Sequence, residues 1–166
     1  MIKSAIISEC GLYRYELRRV WDETLPPAVF IMLNPSTADA EKNDPTIRRC
    51  IGFAKDEGCG SLIVVNLGAF RATSPDVWNA AADPVGPRWR EHMRGALEQV
   101  YPNGGTLVVA WGNDGAGKCA DTVAEIERLG LTPLCFGINK TGQPKHPLYV
   151  PRDQELMTFP ILWGAP

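Results

Sequence analysis

Apolar residues run unbroken through positions 28–33 and stop at Asn34-Pro35. Similar runs fill 62–65, stopping at Asn66, and 107–111, stopping at Gly112-Asn113. Runs of this length without polar alternation are the pattern of strands covered on both faces. They predict strands over 28–33, 61–66 and 106–111, with a shorter fourth over 132–136. Upstream, residues 11–20 set Leu12, Tyr13, Tyr15, Leu17 and Val20 among charges. This reads as a strand near the sheet edge, with residues 5–8 as its candidate partner.

Helical patterns separate these runs. Asp44-Pro45-Thr46 is a helix start, because Asp44 can cap free N–H groups and Pro45 at the first helical position forfeits no hydrogen bond. Ile47, Ile51, Phe53 and Ala54 supply the apolar stripe, and Gly58 or Gly60 the stop. A loop punctuated by Pro75, Pro84 and Pro87 precedes a helix expected over 87–100, and another is expected over 115–129. Residues 137–151 are rich in Gly, Pro and polar side chains, and Leu156, Phe159 and Leu162 suggest a short terminal turn. No repeat, low-complexity tract or linker interrupts the chain, so one domain over residues 1–166 is expected. Strands alternating with helices imply right-handed crossovers. The expected class is therefore α/β, a three-layer α/β/α arrangement with a mostly parallel four-stranded central sheet and an N-terminal edge strand or hairpin.

In such sheets a ligand sits beyond the carboxyl ends of the strands, which is where the polar motifs fall. Asn34-Pro35-Ser36-Thr37 follows the first run. Pro35 biases Asn34 toward extended backbone, while Ser36 and Thr37 offer hydroxyls and N–H groups to a phosphate or polar base. Asn66 can donate and accept at once, which suits a nucleobase edge. Arg71 is a candidate for a phosphate or carboxylate. Trp111 is expected to fill core, with Asn113 at the pocket rim. His146 lies in a loop near Lys140 and Lys145, where an imidazole can serve as acid, base or hydrogen-bond donor. His92, among Arg88, Arg90, Glu91 and Arg94, is expected to be solvated. The glycines between Gly112 and Lys118 match neither a Walker nor a dinucleotide loop.

Composition narrows this further. The formal net charge of −2 argues against a strong nonspecific grip on nucleic acid, though it leaves room for a local basic strip. Five cysteines without a CxxC pair read as buried free thiols in a reducing compartment, and no metal site or cofactor is expected. No apolar run is long enough to cross a bilayer, and the first residues lack a signal-peptide core. The expected location is cytoplasmic, with no membrane association and no protein partner to infer.

The motifs Met32 to Asp39, Asp44 to Cys50 and His146-Pro147-Leu148-Tyr149 resemble a widespread family of domains of unknown function. The stretches from Val65 to Thr73 and from Asp83 to Pro87 fit it too, so the resemblance covers nearly the whole chain. The order of strand-end motifs is also similar to that of the uracil-DNA glycosylase superfamily. There, a loop of glycine, any residue, Asp or Asn, and Pro follows the first central strand, and a histidine-proline loop comes late. That likeness implies a uracil-DNA glycosylase-like fold. It also implies that Asn34-Pro35 places an attacking water, Asn66 reads the base, and His146 stabilises the departing base. Departures are visible: Met32 stands where the glycine is usual, and Leu148-Tyr149 replaces a serine-rich segment.

The function this implies is hydrolysis of the N-glycosidic bond of a nucleobase, modified or not, in DNA or a nucleotide. Asn34, His146 and Asp39 are the catalytic candidates, Asp39 as the carboxylate nearest the first loop. Pro35, Ser36, Thr37, Asn66, Arg71, Asn113 and Lys140 are the binding candidates. Arg48, Arg49, Arg71, Lys140 and Lys145 are the candidate basic strip for phosphates. The alternative is a non-catalytic module that binds a nucleotide or modified base.

Overall fold

Seven strands form one mixed sheet in the order β1-β2-β4-β3-β5-β6-β7 in the computed structural model, which describes residues 1–161. The N-terminal hairpin is β1 (Ile2–Ile7) against β2 (Arg14–Val20), antiparallel. The apolar runs become β3 (Pro27–Met32), β4 (Ser61–Asn66) and β5 (Thr106–Val109), with β6 reduced to Leu134–Cys135. β3 pairs parallel with both β4 and β5, and β5 pairs parallel with β6. β2 joins β4 antiparallel, and β7 (Met157–Thr158) closes the far edge antiparallel to β6.

The α/β class therefore holds, while a four-stranded, mostly parallel sheet does not describe the molecule. The strand expected near the edge is β2, second from the edge, and its candidate partner at 5–8 overlaps β1, which forms the edge itself. β7 escapes notice in the sequence because two exposed residues carry no apolar period. Leu156 and Phe159 flank it, and Leu162 lies outside the described residues.

Both faces of the sheet are apolar, as the unbroken runs require. Helix α1 (Pro45–Asp56) covers one face, packing Ile47, Cys50, Ile51, Phe53 and Ala54 with Phe30, Met32, Leu62 and Val64. Asp44 caps it, its Oδ1 accepting from Ile47 N at 2.8 Å. Helices α3 (Trp89–Leu97) and α4 (Ala120–Arg128) cover the other face through Trp89, Met93, Leu97 and Ile126 on Val29, Ile31 and Val65. Each is shorter than expected from its apolar pattern. In particular, the stretch before α4 begins with a 3-10 turn at Asn113–Gly115 and includes Gly117 at φ +73°. A five-residue helix, α2 (Pro75–Asn79), sits in the proline-rich loop, where Ser74 caps it and Trp78 anchors it in the core.

This connectivity fixes where a crevice opens. The chain leaves β3 toward α1 on one face and leaves β5 toward α4 on the other. Loops that part in opposite directions from neighbouring parallel strands leave a gap beyond the strand ends.

Candidate functional site

A cavity of about 710 Å³ lies at that gap. Its size suits a small-molecule ligand. The loop after β3 forms one wall. Asn34 Nδ2 donates to Pro35 O at 3.0 Å and to Ala72 O at 2.9 Å, while Ala72 N donates to Pro35 O at 2.9 Å. With both amide hydrogens held by carbonyls, the orientation of the carboxamide is set and Oδ1 is left as an acceptor. Pro35 is buried behind this wall rather than lining the cavity. Ser36 and Thr37 do line it, and among the described residues their hydroxyls make no hydrogen bond.

Asn66 ends β4 directly beside Met32 in the sheet register. The residue is only 4% exposed, lines the cavity, and its Oδ1 is buried without a hydrogen-bond partner. Such an orphaned acceptor is costly in a folded protein unless something outside the chain satisfies it. At the end of β5, Trp111 is core and wall together, its Nε1 donating to Gln143 Oε1 at 2.8 Å. Gly112 sits at φ +74°, a conformation open to glycine, and its N–H donates to Pro144 O at 3.0 Å. Asn113 is exposed at the rim and accepts from Thr141 Oγ1 at 2.6 Å. These bonds seat the late loop against the end of β5.

That loop delivers His146. It precedes a 3-10 turn (Pro147–Tyr149), and its Nδ1 accepts from Leu148 N at 3.2 Å. An Nδ1 that accepts carries no proton, so the neutral ring presents N–H at Nε2. Burial pushes the imidazole below its ordinary pKa, partly opposed by the Asp44 carboxylate, and so favours this neutral form. Arg49, on α1, fixes the turn from below by donating through Nε to Pro147 O at 3.3 Å and through Nη2 to Val150 O.

The cavity also holds a residue that the sequence pattern hid. Arg14 opens β2 and is 3% exposed. The pairings Ile6↔Glu16 and Ile7↔Arg14 skip Tyr15, so β2 carries one extra residue here. A bulge resets strand alternation. Arg14 consequently shares contacts with the α1 side, donating through Nη1 to Ala38 O at 2.8 Å, and does not follow Glu16 and Arg18. Its Nε is buried without a partner, and burial pushes the guanidinium down to about 10.

Several candidates lie elsewhere. Asp39 does not line the cavity; its Oδ1 accepts from Glu41 N and Lys42 N, both at 2.8 Å, and these bonds hold its pKa low. The carboxylates that do line the cavity are Asp44 and Asp114. Arg71 donates to Gly11 O at 3.4 Å and Lys140 is exposed, both away from the lining, which takes Asn139 and Lys145 instead. The basic strip is partly consumed, since Arg49 is tied to the late turn and Arg48 donates to Asn43 O at 2.7 Å. His92 is not solvated. It stacks on Tyr15 with ring centroids 4.9 Å apart, and burial lowers its pKa. The thiols of Cys50, Cys59 and Cys135 are buried and free, but Cys10 is exposed and Cys119 half-buried.

Among the described residues, no group of three or more His, Cys, Asp or Glu side chains could hold a metal ion, and no helix is long and apolar enough to cross a membrane. Fold and site together define an α/β protein with a polar cavity beyond the carboxyl ends of its parallel strands. The chain belongs to the family described as Protein of unknown function (DUF1643), whose model matches residues 14–148. No curated protein and no solved structure matches the chain.

Proposed function

We propose that the cavity takes a nucleobase and that the protein hydrolyses its N-glycosidic bond, with a division of labour similar to that of uracil-DNA glycosylases. The observation that carries this reading is the orphaned Asn66 Oδ1, which shares a cavity with a neutral His146. A nucleobase edge brings both an N–H donor for the asparagine and a carbonyl or ring-nitrogen acceptor for the histidine. Asn34 Oδ1, set in place by Nδ2 donating to the Pro35 and Ala72 carbonyls, orients a water toward the anomeric carbon. As the water oxygen bonds that carbon, the C–N bond breaks and its electron pair leaves with the base. The Nε2–H of His146 stabilises that charge, and the water's proton passes to the Asp44 carboxylate. A donor aimed at developing charge contributes about 100-fold or more in rate.

The experiment is product analysis with nucleotides and base-modified oligonucleotides. Release of free base by the wild type, cut about 100-fold in His146→Ala and also reduced in Asn34→Ala, supports the reading. Base released equally well by both variants overturns it.

A second reading has its own support. A carboxamide cannot accept a proton, Asp39 is spent on a turn, and Asp44 is already engaged as the cap of α1 through Ile47 N. A protein that binds the base without cleaving it would show saturable binding and no free base at any enzyme concentration.

A further inference from the structure

Two arginines of β2 are buried on the α1 side of the sheet, and they differ in one respect. Arg19 is fully satisfied: its guanidinium donates to Asn43 Oδ1, Ser4 O, Arg18 O, Asp39 O and Lys42 O. Arg14 makes one such bond, to Ala38 O, and its Nε has none. A guanidinium desolvated to this degree and left short of acceptors is matched to an anion that arrives from outside. Arg14 lines the cavity, so the anion's route is through it.

We propose that Arg14 is the phosphate-binding residue of this cavity and that the ligand is a mononucleotide with a terminal phosphate. This deepens the nucleobase reading and rests on it for the base half of the ligand. The surroundings supply the remaining donors. Ser36 and Thr37 contribute hydroxyls with no hydrogen bond among the described residues. In the first turn of α1, Asp44 takes Ile47 N, Arg48 N bonds Asp44 O, and Pro45 has no N–H, which leaves the Thr46 N–H facing outward from the helix end. The charges around Arg14 are mixed. Arg19 and Arg71 favour an anion, whereas Asp39 and Asp44 oppose it. Asp44 lines the same cavity and is suited to accept from a sugar hydroxyl, which a mononucleotide brings and bare phosphate does not. An internal phosphodiester fits poorly, because a polymer would have to enter and leave past a residue that is 3% exposed.

Calorimetric titration of the intact chain tests this with the common nucleosides, their monophosphates, inorganic phosphate and a short single-stranded DNA. Wild type should bind at least one monophosphate about tenfold or more tighter than its nucleoside. Arg14→Met should bring the two within about twofold while leaving nucleoside affinity unchanged. Equal affinity of wild type for nucleoside and monophosphate overturns the phosphate assignment and leaves the nucleobase reading standing. Inorganic phosphate bound by wild type and lost in Arg14→Met, with no nucleoside bound, supports the anion subsite and sinks the nucleobase reading. Tighter binding of the DNA than of any monophosphate overturns the mononucleotide assignment, and no binding of any probe overturns both. Should Arg14→Met fail to fold, Ser36→Ala combined with Thr37→Val should still remove part of the monophosphate advantage. An unchanged advantage in that double variant overturns the proposal.

Discussion

At the scale of single residues, the site is made by atoms whose usual partners are missing or fixed. Asn34 was legible because Pro35 and a strand end surround it, and Asn66 because an apolar run stops there. Arg14 was not legible. Its position among alternating charges and tyrosines marks it as solvent-facing, and only the extra residue at Tyr15 turns it inward. Asp39 misled for a related reason: Asp in a polar loop serves a turn as readily as a reaction, and sequence does not say which backbone N–H groups will face it. Gly112 is the residue most exposed to test. A Cβ there would stand 3.6 Å from His146 Cβ, an ordinary contact, so the cost of Gly112→Ala is backbone strain at φ +74°. We expect a loss of about 1–3 kcal/mol in urea unfolding, and a variant as stable as wild type would show that the conformation is relaxed.

At the scale of elements, α3 and α4 are held together by an ion cluster as well as by apolar packing. Glu125 of α4 is buried and accepts from Arg90 Nη1 at 2.6 Å, from Arg94 Nε at 2.8 Å and from Arg128 Nε at 2.9 Å. Hydrogen bonds from these arginines, Arg94 foremost, draw its carboxyl down to about 2. A carboxyl depressed on folding stabilises above its unfolded value and loses that contribution as pH falls through the folded one. Glu125→Gln should therefore cost about 2 kcal/mol near neutrality, with the gap to wild type closing between about pH 4.5 and about pH 2. A gap that stays constant across that range would refute the linkage. Helix existence was readable here from period and punctuation, while helix ends were not. Gly117 and the 3-10 turn shorten α4 from within a stretch whose composition is otherwise helical.

At the scale of the whole molecule, the sequence located the parallel strands and placed the polar motifs at their carboxyl ends. It did not give the sheet's full width. The N-terminal partner strand expected over 5–8 runs from Ile2 to Ile7 as β1, and β7, two exposed residues with no apolar period, brings the count to seven. The two histidines contribute to the acid response of the fold at milder pH than Glu125 does. Burial is the first cause of the lowered pKa at both; Asp44 opposes it at His146, while at His92 Arg88 adds to it and Glu91 and Glu16 oppose it. The unfolded chain takes up their protons first, so stability should fall as pH drops below about 6.5. Urea midpoints of His92→Gln and His146→Gln should each fall less steeply than wild type over that range, and parallel curves for all three proteins would remove the histidines from the explanation.

Arg49 gives the molecule a further property. Because one guanidinium holds the carbonyls of Pro147 and Val150 from the body of α1, the rim of the cavity and the middle of that helix are one mechanical unit. Opening fluctuations of the rim must then be shared with α1. Amide hydrogen exchange at residues 148–150 and 50–54 should slow together when the cavity is filled. In Arg49→Met the rim amides should exchange faster and the helix amides should stop responding, so the two clocks would run separately.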